Sequence, residues 1–346
     1  MNFKNRQNCY VIAEAGVNHN SSIKMAFELV DVAKAAGADA IKFQLFDIDE
    51  QVSNIAINAP YQRKGSKKKA FKEMAKDYEL DWLEHLKIKK HCDEIGIDYL
   101  SSCFDNNAID FLIDKIGSEL IKISSGEITN YKLIEYASTK NKTIILSTGM
   151  ATISEVEGAV NKILSNKNFK KELILLHCTS NYPAQLESLN LNAIHTLRDK
   201  FQLIVGYSDH SLGNKAAMAS LALGAKVIEK HFTLDKSLPG PDHSMALDPI
   251  QLKDFIEEIR MTEKMLGNGI KIPTVEEIEM KKVFRRGVIS MEKILAGQVL
   301  SIYNIGIKRP LIGIDAVSYE DVLNKKIKID VEKDVPITWD MLESDI

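Results

Sequence analysis

Residues 143–178 read TIILSTGMATISEVEGAVNKILSNKNFKKELILLHC. The segment opens on a β-branched run, Thr143–Ser147, and closes on a second apolar run, Leu173–Cys178. Between them, Thr152–Ser154 supplies a helix start, and Val156, Val160, Ile163 and Leu164 recur at helical spacing on one side. A short, nearly continuous apolar run is how a parallel strand covered on both faces reads. The segment is a strand–helix–strand unit.

The same unit repeats outward in both directions. Strands are expected at Tyr10–Ala15, Ala40–Leu45, Tyr99–Cys103, Leu120–Ser124, Leu203–Tyr207 and Val227–Phe232 as well, with helices between them. The first helix carries Ala26, Leu29, Val30 and Ala33 on one face and Gly37 in C-cap position; the second carries Leu83, Leu86 and Ile95. Eight strands in strict alternation with helices predict an α/β (β/α)8 TIM barrel closing near Gly267. A doubly wound open sheet is the alternative. It is disfavoured because no G-x-G-x-x-G follows the first strand.

The chain has 346 residues, and a barrel takes about 250 of them. The remainder forms a linker at 269–283, with a charged helix near Val275–Lys282, and a small β-rich domain at 284–346 punctuated by Gly287, Gly297, Pro310, Gly313 and Pro336. The barrel then spans 1–268. Composition is that of a globular protein, 45% hydrophobic and 27% charged, which excludes a disordered or collagen-like chain. A net charge of −3 provides no basic field for nucleic acid. The four cysteines, Cys9, Cys92, Cys103 and Cys178, show no C-x-x-C, so reduced thiols are expected rather than a disulfide scaffold or structural zinc. No signal peptide is expected after the polar Met1–Asn8, and the most apolar stretch, Ala216–Ala225, is far short of the ~20 residues a bilayer needs. The expected location is cytoplasmic.

Between Phe46 and about Leu80 no strong period appears, and Arg63, Lys64, Lys67, Lys68, Lys69 and Lys72 form a basic cluster. It reads as a solvated loop or as a lid that draws in an anion.

Barrel active sites are built on the C-terminal ends of the strands. Here those ends are polar: Glu14, Asn18 and His19; Lys42 and Gln44; Lys122, Ser124, Ser125 and Glu127; Ser147; His177, Cys178, Thr179 and Ser180; Ser208, Asp209 and His210; Glu229 and His231. Strand parity points Lys42 and Lys122 into the mouth. A buried lysine needs an anion, supplied either by an internal ion pair with Glu14 or Glu127 or by a bound phosphate or carboxylate. His210 and His231 end adjacent strands and can share one divalent metal. His85, His91 and His195 lie on helices and read as ordinary polar residues, and His177 can be either. Asp242 and His243, in the stiff loop 238–243, are candidates to bind a polyol or merely to form a turn.

These residues carry a resemblance. AEAGVNHN, IKFQ, KISSGE, STGMAT, LHCTSNYP, GYSDHS, EKHFTLDK and GPDH, in this order along nearly the whole chain, resemble the sialic acid synthase family. The segment Phe284–Ile346, with Lys308-Arg309 before Pro310, resembles that family's C-terminal SAF domain, an antifreeze-like β-clip. The resemblance implies condensation of phosphoenolpyruvate with an open-chain N-acyl amino sugar. The product is a nonulosonic acid of the neuraminic, legionaminic or pseudaminic branch, and the GPDH loop is more similar to the first two. It implies that Lys42, Lys122, Ser125, Ser147 and Ser208 hold phosphoenolpyruvate; Ser180, a further substrate-binding candidate, departs from the family, standing where some members have an amide that contacts phosphoenolpyruvate. It implies that His210 and His231 bind Mn2+ or Mg2+, and that Glu14, Gln44, Glu127, Tyr182 and Asp242 position the sugar or move protons. Arg309 would reach the sugar's N-acyl group from the partner subunit of a domain-swapped homodimer, and the acyl pocket would involve Asn58–Gln62. Ser102-Cys103-Phe104 stands where Thr-Pro-Phe is common, and Leu311-Ile312 where Gly-Asn is frequent.

Two other functions fit the same fold. A Schiff-base aldolase would use Lys122 or Lys42 as nucleophile and need no metal. A sugar-binding protein on a degenerate barrel would lack the polar strand ends, and they are all present.

Overall fold

The computed structural model describes residues 2–57 and 71–343. The segment Asn58–Gln62 and five of the six basic loop residues, Arg63 to Lys69, lie outside the described residues. The sixth, Lys72, pairs with Asp49 at 3.2 Å.

Eight parallel strands close into a barrel in sequence order: β1 Tyr10–Gly16, β2 Ala40–Leu45, β3 Asp98–Cys103, β4 Leu120–Ile123, β5 Thr143–Ser147, β6 Leu173–Cys178, β7 Ile204–Asp209 and β8 Val227–His231. The open-sheet alternative is excluded by the pairing of β8 with β1, from Tyr10 opposite Val227 to Glu14 opposite His231.

Alternate residues of each strand face the barrel axis. On that face polarity changes along the strand. Tyr10, Ile12, Leu100, Leu120, Ile145, Ile174, Leu176 and Val227 pack a buried apolar floor. Above them the same columns continue as Glu14, Ser102, Lys122, Ser147, Cys178 and Glu229, all buried. The outward residues form a separate, larger core under the helices, with Val11, Ile41, Phe43, Ile121, Leu146, Leu175 and Ile228 fully buried.

The helix Ile153–Leu164 starts on a capping box, in which Thr152 accepts from the Glu155 amide and Glu155 from that of Thr152. Its buried face is Val156, Ala159, Val160 and Ile163, while Leu164 is exposed at the end of the last turn. Gly37 adopts φ 88°, a left-handed C-cap that suits glycine. The helix Trp82–Ile95 departs from expectation. Its buried face is His85, Ile88 and Cys92, Leu83 is exposed, and Leu86 and Ile95 pack only partly against the core. A histidine conceals the stripe in the sequence. His85 shares a hydrogen bond with the Tyr99 hydroxyl at 2.8 Å, and burial pushes its pKa down to about 3, so the ring is neutral.

The barrel's underside is closed by Asp39, just before β2. Its carboxylate accepts from the Val11 amide at 2.8 Å and the Arg260 guanidinium at 2.9 Å, and it also pairs with Arg6.

The chain divides into two compact units, Met1–Gly267 and Asn268–Ile346. The second has its own core, including Val288, Leu300, Ile314, Ile327 and Ile337. Its strands β9 Gly287–Ser290 and β10 Ile305–Lys308 pair antiparallel. It begins with the helix Val275–Phe284, none of whose residues is buried. Among the described residues no helix is long and apolar enough to cross a membrane.

Gly206 lies in β7, where an added Cβ would sit 2.3 Å from the Val227 carbonyl oxygen and 2.6 Å from Leu176 Cδ2. Backbone on the neighbouring strand cannot move aside without opening the barrel. Gly206→Ala is therefore expected to destabilise by about 1–3 kcal/mol, read as a lower urea midpoint. An unchanged midpoint would contradict this packing.

Candidate active site

Four charged side chains meet in the barrel mouth. Lys42, on β2, lies 2.9 Å from Glu14 Oε2 on β1 and 3.6 Å from Glu229 Oε2 on β8. Lys122, on β4, lies 3.8 Å from Glu229 Oε1. Side-chain exposures of 2–6% leave water no role in screening them. Lys42 also donates to Ser102 Oγ at 3.0 Å, Ser208 to Glu229 Oε1 at 2.9 Å, and Gln44 to Glu14 Oε1 at 3.3 Å.

Glu229 was legible in the sequence only as a neighbour of His231 on one strand face. The structure makes it the carboxylate that bridges both lysines. The expected pairing of a lysine with Glu14 is present; Glu127 instead accepts from Asn130 Nδ2 at 2.8 Å.

The two carboxylates titrate apart. Burial raises Glu14 to about 7, with Lys42 acting against it and Glu229 adding to it. Burial also acts to raise Glu229, but Lys122, Lys42 and the Ser208 hydroxyl outweigh it and bring it down to about 2. Burial lowers Lys122, with Glu229 as its main opposing anion. The quartet thus sets two lysines against two carboxylates, of which Glu14 is held closer to its neutral form and Glu229 to its charged form. Lys42 has two carboxylates within 4 Å, whereas Lys122 pairs with Glu229 alone, at 3.8 Å, among the described residues.

Beside the quartet stand the two histidines, their rings 5.4 Å apart. The Tyr182 ring packs against both, at 5.4 Å from His210 and 4.9 Å from His231. Cys178 Sγ lies 3.9 Å from His210 Nδ1. Burial, then His210 and Lys42, hold the His231 pKa well below its ordinary value, so this imidazole is neutral. Its buried Nδ1 has no hydrogen-bond partner and lies 3.9 Å from Asp242 Oδ2. Burial raises Asp242 to about 6. An unpartnered neutral imidazole nitrogen, a second imidazole and a carboxylate suit a divalent cation. Among the described residues no three or more His, Cys, Asp or Glu side chains are gathered closely enough to hold a metal ion.

Hydroxyls gather at the ends of β4, β5 and β6. Ser125 Oγ accepts from the Gly149 amide at 3.0 Å, and the buried Ser180 Oγ has no hydrogen-bond partner. A Cβ on Gly149 would meet Ser180 Oγ at 2.3 Å and Ser125 Oγ at 2.8 Å, so glycine is what lets these hydroxyls converge. Ser147 is buried at the end of β5.

Over the mouth opens a cavity of about 500 Å³, which Gln44, Glu127 and Asp242 line together with Phe46 and Tyr78. Arg309 belongs to the second unit, where its guanidinium lies 5.4 Å over the Phe284 ring. Two other histidines have hydrogen-bond partners within the fold. His177 bonds the Leu189 carbonyl at 2.7 Å, and His243 is engaged with Thr233 at 2.6 Å and Asn20 at 3.1 Å.

The chain is similar to known proteins. The N,N'-diacetyllegionaminic acid synthase of Campylobacter jejuni is 42% identical over 316 residues, covering 91% of this chain and 94% of the relative. The synthase of the same name from Legionella pneumophila is 39% identical over 339 residues, covering 97% and 95%. The crystal structure of the N-acetylneuraminic acid synthetase from Leptospira borgpetersenii, in complex with citrate, aligns with a TM-score of 0.70 at 36% identity, covering 79% of this chain and 90% of that one. The sequence pattern of the SAF domain matches residues 285–343, and that of the NeuB family residues 29–271. With its closed barrel, its polar mouth and these relatives, the chain belongs to the NeuB family and is a nonulosonic acid synthase.

Proposed function

We propose that this enzyme condenses phosphoenolpyruvate with the 2,4-diacetamido-6-deoxy analogue of N-acetylmannosamine, giving N,N'-diacetyllegionaminic acid and phosphate. The names of the two relatives at 42% and 39% identity support the choice of sugar. The observation that carries the reaction class is the buried quartet. Its two buried lysines, of which Lys122 is the less closely paired, suit a small molecule bearing both phosphate and carboxylate.

In this reading Lys122, with Ser125, Ser147, Ser180 and Ser208, takes the phosphate, and Lys42 takes the carboxylate. Gln44, Glu127, Tyr182 and Asp242 hold the open-chain sugar in the cavity above. Carbon 3 of phosphoenolpyruvate attacks the aldehyde carbon, a carbon–carbon bond forms, and the aldehyde oxygen gains a proton. Carbon 2 becomes oxocarbenium-like, water adds there and loses a proton, and the bond from carbon 2 to the phosphate oxygen then breaks as the new hydroxyl gives up its proton, leaving the 2-keto acid and inorganic phosphate. Glu14 is the carboxyl group suited to move a proton near neutral pH, because its pKa stands at about 7. A divalent cation, Mn2+ or Mg2+, held by His210 and His231 supplies Lewis-acid polarisation of a carbonyl oxygen when bound. Arg309 reaches the sugar's N-acyl group from the partner subunit of a domain-swapped homodimer.

Phosphate release should require both substrates, stop on chelation, and return with Mn2+ or Mg2+. It should be faster with the diacetamido sugar than with N-acetylmannosamine. The reverse preference assigns the neuraminic branch, and release from phosphoenolpyruvate alone refutes the condensation. Glu14→Gln should lower kcat by about 10²–10⁴ while phosphoenolpyruvate still binds, whereas Lys122→Met should act mainly on the KM for phosphoenolpyruvate. Borohydride trapping of a substrate adduct on Lys122 or Lys42 would favour the aldolase instead. Arg309→Ala should raise the KM for the sugar and leave that for phosphoenolpyruvate near its native value; equal effects on both would remove the assigned role.

A further inference from the structure

His210 directly follows Asp209, and His231 directly follows Lys230. Asp209 and Lys230 are register partners on β7 and β8. Their neighbours Ser208 and Glu229 are partners on the inner face, so this second rung faces outward, under the helices. Lys230 Nζ lies 2.8 Å from Asp209 Oδ2, and the two side chains are 3% and 0% exposed. The Phe255 ring roofs the ammonium, its centroid 5.9 Å away.

The remaining bonds of this pair go to the segment that carries His210. Lys230 Nζ also donates to the Ser211 carbonyl at 2.6 Å and the Gly213 carbonyl at 3.1 Å. With Asp209, these acceptors use all three ammonium protons. Asp209 Oδ1 accepts from both the amide, at 2.8 Å, and the hydroxyl, at 2.7 Å, of Ser211. The chain from Asp209 to Gly213 is thus wrapped around one ammonium group, with His210 inside the wrap. That ammonium is the side chain next to His231. A single buried ion pair therefore ties together the backbones that present both imidazoles, without reaching the cavity itself.

We propose that Asp209 and Lys230 are positioning residues that set the spacing of the His210 and His231 rings and so tune the affinity for a divalent cation. The inference rests on the reading of these two histidines as metal ligands. The ion pair touches neither substrate nor metal. It acts through the backbone that carries the two rings, whereas the better-known outer partners of metal ligands hydrogen-bond the ring itself.

The test is Mn2+ binding to metal-free full-length protein, followed by the electron paramagnetic resonance signal of free Mn2+, with circular dichroism recording the fold. Asp209→Asn/Lys230→Met removes both charges, so no unpaired ion stays buried, and Lys230→Arg keeps the charge but changes the placement of the donors. The Kd for Mn2+ is expected to rise about tenfold or more in the double variant and at least about threefold in Lys230→Arg, with the dichroism spectrum retained. Arg260→Met, which breaks an ion pair at the other end of the barrel, should leave the Kd within about twofold. Mn2+ affinity within about twofold of native in a folded pair variant overturns the proposal, as does failure of both pair variants to fold, which would make the pair structural only. His210→Ala and His231→Ala separate the two readings. If they bind Mn2+ as the native chain does, the metal assignment itself falls. If they lose it while the pair variants keep it, only the positioning role falls.

Discussion

Two ammonium groups are held out of water inside the barrel, and one carboxylate, Glu229, lies between them. Burying an unpaired ion costs several kcal/mol, so Lys42 and Lys122 can occupy the mouth only because the strands bring Glu229 and Glu14 to them. Compensation is partial. Lys42 has carboxylates at 2.9 and 3.6 Å, while Lys122 has Glu229 at 3.8 Å and is the less well paired of the two. A site so arranged leaves Lys122 loosely paired, and an anionic substrate can complete its pairing.

The division of each strand into an apolar lower part and a polar upper part makes this affordable. Tyr10, Ile12 and Val227 belong to a floor that stays buried and apolar. Two residues further along, the same columns offer Glu14 and Glu229, with His231 beyond. The outer face repeats the logic once, in the Asp209–Lys230 pair, where three acceptors saturate one ammonium. Inside, incomplete pairing leaves room for a ligand. Outside, complete pairing yields rigidity.

Much of this was legible in the chain. Eight β-branched runs, the Thr152 helix start and the Gly37 cap each follow from local chemistry that a short window contains. The stripe of the helix Trp82–Ile95 was not legible, because its buried histidine reads as a surface residue until the Tyr99 hydroxyl is seen beside it. The part played by Glu229 was hidden for a similar reason. Parity placed it on the inner face with His231, but its two lysine partners come from strands more than a hundred residues earlier.

The sequence by itself determined the inventory of the site, the face on which each residue stands and the end of the barrel to which it belongs. These depend on the alternation of side chains along a strand and on the order of strands and helices, both local properties. Only the tertiary structure decided which charges meet. Closure of β8 on β1 sets Glu14 opposite His231, and the register of β7 with β8 sets Ser208 opposite Glu229 and Asp209 opposite Lys230. Such pairings are fixed by long-range hydrogen-bond register and by the exclusion of water around the pairs it creates, and no periodicity within a single segment contains them.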